Sequence, residues 1–317
     1  MKALVTGAAG FIGSTLAEAL TARGVEVTGL DCFTDYYARD VKEANLSALR
    51  AQPAFTFVED ALQTVSLDRI LDGVTHVFHL SAQAGVRRSW GRDFQTYTTH
   101  NVDATQRLLE AVKGRTLERF VYASSSSVYG DAVQIPMRED AMVQPVSPYG
   151  VTKLAAEHLC LLYWTNYGVP TVSLRFFTVY GPRQRPDMGF HRFIRAALTG
   201  QPITLYGDGE QTRDFTYVDD IVAALVAAGE RGRAGGVYNI GGGSRVSINE
   251  VLSLIGTVTD RLIRIQREPP QKGDMRDTFA DTARAKAELG FSPSTSLEQG
   301  LRAEAQWLSD LLGGPLG

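Results

Sequence analysis

Lys2-Ala3-Leu4-Val5-Thr6-Gly7-Ala8-Ala9-Gly10-Phe11-Ile12-Gly13-Ser14-Thr15-Leu16 is the stretch that decides the fold. Ala3-Leu4-Val5 reads as a short buried strand, after which Ile12, Leu16, Ala19 and Leu20 share one helical face. Between them, Gly7, Gly10 and Gly13 allow a tight turn and let backbone N–H groups approach a pyrophosphate at the helix N-terminus. The spacing is G-x-x-G-x-x-G rather than the commoner G-x-G-x-x-G, so the turn alone also suits plain helix–strand packing. Its setting says more: Val25 to Leu30 is a second strand, and Asp31 ends it 18 residues after Gly13. A carboxylate there accepts both hydroxyls of an adenosine ribose and repels a 2′-phosphate, which predicts NAD over NADP. Asp60, beyond the third strand, is either an acceptor for the adenine amino group or a surface carboxylate.

Outward from this turn, strand-like runs recur at Phe55–Val58, His76–Leu80, Phe120–Ala123 and Thr171–Leu174, separated by helix-periodic segments. Nearly continuous apolar strands between helices predict a doubly wound α/β fold, a parallel sheet covered on both faces. Ligands of such folds bind beyond the carboxyl ends of the strands. After Phe176, glycine and proline become frequent and the runs shorten, which predicts a smaller C-terminal α/β substrate domain. The expected division is 1–175 and 176–317, with 214–241 returning to the first unit through a helix at Val218–Ala228 and a strand at Val237–Ile240. Gly313 to Gly317 reads as a frayed tail.

The bulk numbers fit one such chain: 317 residues, 44% hydrophobic, 21% charged, net charge −3. That balance offers nothing to nucleic acid or an anionic membrane, so an anionic ligand must be met by a few local arginines. Cys32 and Cys160 are far apart and read as free thiols in a reducing cytoplasm. No basic leader precedes the first strand and no apolar run reaches spanning length, so a soluble cytoplasmic protein is expected. His79 reads as a packing histidine, and His100, His158 and His191 have no metal-ligand spacing; no metal is expected.

Tyr149-Gly150-Val151-Thr152-Lys153 carries the sharpest chemistry. Four residues apart on a helix, the phenol and the ammonium share a face, and Pro148 suits the helix start. A tyrosine with an ordinary pKa of about 10 becomes a useful base when a nearby cation favours its phenolate. The same spacing is common on exposed helices. Here it stands with the glycine turn, with Asn101, and with Ser124-Ser125-Ser126-Ser127 ending a buried strand. Hydroxyls are poor packing material there but suit a hydrogen-bonded reacting group.

Taken together, Gly7 to Gly13, His79-Leu80-Ser81-Ala82, Ser125 to Gly130 and Tyr149 to Lys153 resemble the extended short-chain dehydrogenase/reductase family. So do Arg175 to Pro182, Arg213 to Asp220 and Tyr238-Asn239-Ile240-Gly241, so the resemblance spans essentially the whole chain. It implies a Rossmann-type fold and a bound NAD held by Gly7, Gly10, Phe11, Ile12, Gly13, Asp31, Asp60, Ala61, Leu80, Ala82, Asn101, Tyr149 and Lys153. It implies Tyr149 as base, Lys153 as its ribose-binding electrostatic partner, Ser125 on the sugar O4, and Arg213 on the pyrophosphate of a UDP-sugar. Arg87 either touches phosphate or faces solvent, and Asp274 and Arg276 are candidate contacts to the uridine ribose and phosphates.

The 4,6-dehydratases of that family carry an Asp-Glu pair where Ser126-Ser127 stand, and UDP-glucuronate decarboxylases carry a Glu there. Neither is present, which leaves C4 epimerisation by Ser125, Tyr149, Lys153 and NAD. Asp35-Tyr36-Tyr37, Lys42, Asn45-Leu46, Ala82 to Arg87, Thr178 and Arg185-Pro186-Asp187-Met188 are similar to UDP-glucuronic acid 4-epimerases. Thr178, Ser126 and Ser127 are the expected neutral donors to a hexuronate carboxylate, with Arg185 adding charge; Thr178 also suits a strand-end cap. A UDP-glucose or UDP-N-acetylhexosamine epimerase is the second reading; a decarboxylase or a non-catalytic dinucleotide sensor ranks below it. Leu154, Leu159, Leu161, Leu162 and Trp164 spread apolar surface around the Tyr149–Tyr167 helix, predicting a homodimer in which it packs beside the Phe94–Val112 helix.

Overall fold

A computed structural model describes residues 1–131, 134–269 and 275–313. The first half runs β1 (Lys2–Thr6), α1 (Phe11–Ala22), β2 (Glu26–Asp31), α2 (Arg39–Arg50), β3 (Phe55–Glu59), α3 (Leu67–Ile70), β4 (His76–His79), α4 (Phe94–Tyr97), α5 (Ala104–Val112), β5 (Arg119–Ser125), α6 (Pro148–Tyr167) and β6 (Thr171–Phe176). The second runs β7 (Thr178–Tyr180), α7 (Gly189–Thr199), β8 (Ile203–Tyr206), β9 (Thr212–Tyr217), α8 (Val218–Arg231), β10 (Gly236–Ile240), β11 (Arg245–Ser247), α9 (Ile248–Thr259), β12 (Ile265–Glu268), α10 (Ala283–Leu289) and α11 (Leu297–Leu312).

Seven strands form one parallel sheet in the order β10-β6-β5-β4-β1-β2-β3. Strand alternation divides the core between its two faces. Ala3 and Val5 of β1 join the cluster under α1 and α8, whereas Leu4 joins the cluster under α5 and α6. Likewise Val121 and Ala123 of β5 face one way, and Phe120 and Tyr122 the other. The winding direction reverses between β1 and β4, which opens a crevice at their carboxyl ends.

The second lobe is built on two small sheets, β11-β9-β7 and β12-β8. The α7, α9 and α11 helices close over its own core, which includes Tyr180, Phe190, Phe215, Val251 and Leu301. Residues 214–217 belong to β9 of this lobe, and the chain rejoins the main sheet from Val218, through α8 against α1 and β10 against β6. No described helix is long and apolar enough to cross a membrane.

The Phe94–Val112 segment is not one regular helix. A π-helical stretch, Thr98–Asp103, joins α4 to α5, and Asn101 sits within it. Such bulges concentrate at functional sites because they turn a side chain out of helical register. Here Asn101 accepts from the Gln83 backbone N–H at 2.7 Å and donates to the Gln83 carbonyl and to Thr152 Oγ1, each at 3.0 Å. One buried amide thus ties the segment after β4 to the Tyr149–Lys153 helix.

His79, at the end of β4, is fully buried between two hydroxyls, Thr6 Oγ1 at 2.8 Å and Thr105 Oγ1 at 2.9 Å. Burial, with the Lys153 charge nearby, pushes its pKa from 6.5 down to about 3. The folded state therefore binds fewer protons than the unfolded chain between about pH 3 and 6.5. Stability held by the neutral ring is fully present above 6.5 and drains away as the pH falls towards 3. Between pH 7 and pH 5 this group alone is expected to cost about 2 kcal/mol. Urea unfolding at both pH values should show that loss in the wild type, reduced by a similar amount in His79→Gln; equal losses in the two proteins would contradict it.

Candidate active site at the carboxyl edge of the sheet

A cavity of about 740 Å3 occupies the crevice between the lobes. At one end lies the β1–α1 turn. Gly7 adopts φ +75°, and a Cβ on Gly13 would stand 2.0 Å from the Gly7 carbonyl oxygen, so the turn closes only without side chains. The start of α1 has no side-chain cap and no acidic residue in its first turn. Its amide N–H groups therefore meet the cavity as a ready anion site.

Asp31 lines the same end, with Oδ2 accepting from Ala9 N–H at 3.1 Å and Oδ1 from Phe33 N–H at 2.9 Å. Burial raises its pKa above 3.8, opposed first by the Phe33 N–H and then by Lys42. Asp60 also lines the cavity, and its Oδ1 accepts from Ala61 N–H and Thr64 Oγ1. Those bonds, Thr64 first, hold its carboxyl below the usual range. The carboxylate is held in a set orientation rather than waving at the surface. Phe11, Ile12, Gly10, Leu80 and Ala82 complete this wall. Ala61 serves through its backbone N–H beneath Asp60, and Asn101 stands behind the wall. The residues present therefore fit a dinucleotide: an uncapped helix start for the pyrophosphate and an oriented carboxylate for a ribose.

At the other end, β5 ends on Ser124 and Ser125, and the chain turns through a short 3-10 segment, Ser126–Val128, capped by Ser125 Oγ accepting from Ser127 N–H at 3.1 Å. The α6 helix starts beside it, capped by Ser147 Oγ accepting from Gly150 N–H at 3.1 Å, with Pro148 in its first turn. The two turns touch. A Cβ on Gly150 would lie 2.5 Å from the Ser127 carbonyl oxygen. Sequence reasoning assigned Gly150 no role, although a glycine in the first turn of a helix was the available signal. Gly150→Ala is expected to push Tyr149 away from the serines and lower turnover by about 10- to 100-fold, since displacements of an ångström cost that much. Steady-state kinetics check it; a variant within twofold of wild type would show that the two turns can separate harmlessly.

Ser125, Tyr149 and Lys153 meet on this wall. Lys153 is buried, donates to the Ala123 carbonyl at 2.7 Å and lies 4.9 Å from the Tyr122 ring. Burial lowers its pKa from 10.5 to about 8, against the pull of Cys160 and Glu157. Burial also raises Tyr149 above 10.0, and two contacts oppose this: first the Arg185 charge, then a hydrogen bond with Ser125. The Arg185 charge, from the second lobe, thus favours the phenolate. Lys153 Nζ is hydrogen-bonded at the end of β5.

Arg185 is itself held. Its Nε and Nη2 donate to the two oxygens of Asp187, each at 3.0 Å, and Tyr36 Oη donates to Asp187 Oδ2 at 3.3 Å. Tyr36, after β2, therefore reaches across the cavity mouth to the second lobe. Thr178, Ser126, Ser127, Arg87 and Arg213 also line the cavity. Arg87 packs over Tyr206 at 4.4 Å, and Arg213 Nη1 donates to the carbonyls of Thr212 and Arg276. Arg276 is exposed, pairs with Asp208 at 3.4 Å, and contributes its carbonyl rather than its charge to this cluster. Asp274 lies outside the described residues.

Residues 3–241 match the model of the NAD dependent epimerase/dehydratase family. The chain belongs to that family. It is 46% identical over 316 residues to an uncharacterized UDP-glucose epimerase of Bacillus subtilis (strain 168), covering 99% of this chain and 100% of that protein. With UDP-glucuronate 4-epimerase 3 of Arabidopsis thaliana it shares 38% over 329 residues, 96% of this chain and 75% of the plant protein. Among solved structures, the UDP-glucuronic acid 4-epimerase of Bacillus cereus in complex with UDP-glucuronic acid and NAD superposes with a TM-score of 0.96. The two are 44% identical, and the match covers 98% of this chain and 100% of that one.

Proposed function

We propose that this family member is an NAD-dependent UDP-glucuronate 4-epimerase, interconverting UDP-glucuronic and UDP-galacturonic acid. The observation that carries the reading is one continuous cavity lined by Ser125, Tyr149, Lys153, Thr178 and Arg185 and, at its other end, by Asp31. The likeness to the Bacillus cereus and Arabidopsis enzymes supports it.

NAD, when bound, takes a hydride from the sugar C4 and returns it. Gly7, Gly10, Phe11, Ile12 and Gly13 hold its pyrophosphate, and Asp31, Asp60, Ala61, Leu80, Ala82 and Asn101 form or brace the adenosine and nicotinamide walls. Lys153 holds the ribose next to Tyr149. The Tyr149 phenolate takes the proton from the substrate O4 and later gives it back, while Ser125 holds that oxygen by a hydrogen bond. Arg213, with Arg87, takes the UDP phosphates, and Asp274 and Arg276 are assigned to the uridine ribose and phosphates. Epimerisation requires the 4-keto sugar to turn over between removal and return of the hydride.

The sugar assignment rests on what surrounds C5. A 4-ketohexuronate is a β-keto acid and loses carbon dioxide readily unless its carboxylate is held. Ser126, Ser127 and Thr178 supply neutral donors there, and Arg185, already engaged by Asp187, supplies charge. Neither Ser126 nor Ser127 can replace the acid and base that dehydration needs.

The exposed apolar residues Val151, Leu161, Leu162 and Tyr167 along α6, with Phe94 on α4, support a homodimer through these helices. We assign residues 1–175, joined by 218–241, to cofactor binding and the remainder to the sugar nucleotide. Two unpaired cysteines suit a cytoplasmic protein. The deciding experiment incubates the protein with UDP-glucuronate, UDP-glucose and UDP-N-acetylglucosamine and identifies products by NMR. UDP-galacturonate is expected from the first. Turnover of UDP-glucose with none of UDP-glucuronate would transfer the assignment to the activity for which the Bacillus subtilis relative is named.

A further inference from the structure

The serine turn is pinned at both ends by the two halves of one buried ion pair. At its start, Ser124 Oγ donates to Glu157 Oε2 at 2.6 Å. At its end, Tyr129 Oη accepts from Arg175 Nη1 at 2.7 Å. Glu157 and Arg175 are joined by Nη2 to Oε1 at 2.6 Å and Nε to Oε2 at 3.1 Å, with side chains 7% and 6% exposed. Glu157 stands one helical turn beyond Lys153 on α6, and Arg175 lies on β6, the strand beside β5. Tyr129 Oη also donates to Asn239 Oδ1 at 2.7 Å, which carries the brace into β10.

A buried ion pair is a poor way to gain stability, because desolvating both charges offsets their attraction, and well-packed apolar residues often do as well. What the pair supplies here is direction. The two residues it holds, Ser124 and Tyr129, flank Ser125, Ser126 and Ser127; Ser124 also lines the cavity, whereas Tyr129 lies behind it. We propose that Glu157 and Arg175 are positioning residues for the substrate-facing serines, holding the Ser124–Tyr129 turn from both ends against the Tyr149–Lys153 helix. The proposal rests on the reading of Ser125–Ser127 as groups that touch the sugar. It extends that reading to residues that touch neither sugar nor cofactor.

The test uses three variants of the full chain. Ser124→Ala and Tyr129→Phe each remove one pin and leave the ion pair, and the double change Glu157→Met with Arg175→Met replaces the pair by apolar chains of similar bulk. Each is measured for amide hydrogen exchange across 124–131, thermal melting, retention of NAD, and kcat and KM for UDP-glucuronate. Faster exchange in 124–131 is expected in all three, with kcat down about tenfold and KM and NAD retention within about twofold. The double variant should melt no lower than wild type, which separates positioning from stability. Unchanged exchange in 124–131 would overturn the proposal whatever the activities. So would a kcat loss in each variant that merely tracks its melting temperature. Faster exchange with unchanged kcat would leave the brace standing and overturn instead the assignment of Ser125–Ser127 to the sugar.

Discussion

Tyr149→Phe is expected to lower epimerisation about 10³-fold, within the range for loss of a positioned acid–base group, while both UDP-sugar and NAD still bind. The substitution removes one oxygen and leaves the ring in its place. Tyr149 is half-buried at the first turn of α6, and its ring packs edge-on against Tyr97 with centroids 6.2 Å apart. Phenylalanine preserves that packing, so the change should be read in kcat rather than in the melting temperature. What disappears is the atom proposed to exchange a proton with the sugar O4, the one that Ser125 and Arg185 act on. Calorimetric titration alongside kinetics separates the two effects. A variant with more than a tenth of wild-type turnover would remove Tyr149 from the role of base.

Lys153→Met should reduce turnover by about 10²- to 10³-fold, through a different route. Methionine keeps most of the buried stem and discards the charge that donates to the Ala123 carbonyl at the end of β5. The lost group is the one proposed to hold the nicotinamide ribose beside Tyr149, so NAD affinity should fall together with kcat. In Tyr149→Phe it should not. Because burial brings the ammonium down to about 8, raising the pH through that value should depress wild-type cofactor affinity in the same direction as the mutation. Lys153→Met should show no such dependence. Retained NAD affinity in the variant, with only turnover lost, would assign Lys153 to the proton path rather than to ribose binding.

The parts of the site legible in the sequence are those built from neighbours along the chain. The β1–α1 turn, the carboxylate ending β2, the serine run ending β5 and the Tyr149–Lys153 spacing each lie within one strand, turn or helix. Their geometry follows from periods of 2 and 3.6 and from the absence of side chains on Gly7 and Gly13. Other features had no comparable signature. The π-helical stretch at Thr98–Asp103 differs from an ordinary helix by a single register step, which leaves no mark in an amphipathic pattern. The contact of Gly150 with the Ser127 carbonyl depends on how closely α6 settles on the end of β5.

The sequence by itself thus determined the doubly wound sheet and the use of NAD, and it picked out a tyrosine, a lysine and a serine that line one cavity. Each of these is a local statement about short stretches of backbone and the side chains they carry. Only the tertiary structure decided which distant groups act on them. It put the Arg185 charge, clasped by Asp187 and Tyr36, near a phenol on another element. It also joined Glu157 to Arg175 across α6 and β6, so that one ion pair grips both ends of the serine turn. Such meetings are set by strand order and by the docking of the second lobe. Those are fixed by the summed packing of the whole core rather than by any pattern within a single segment.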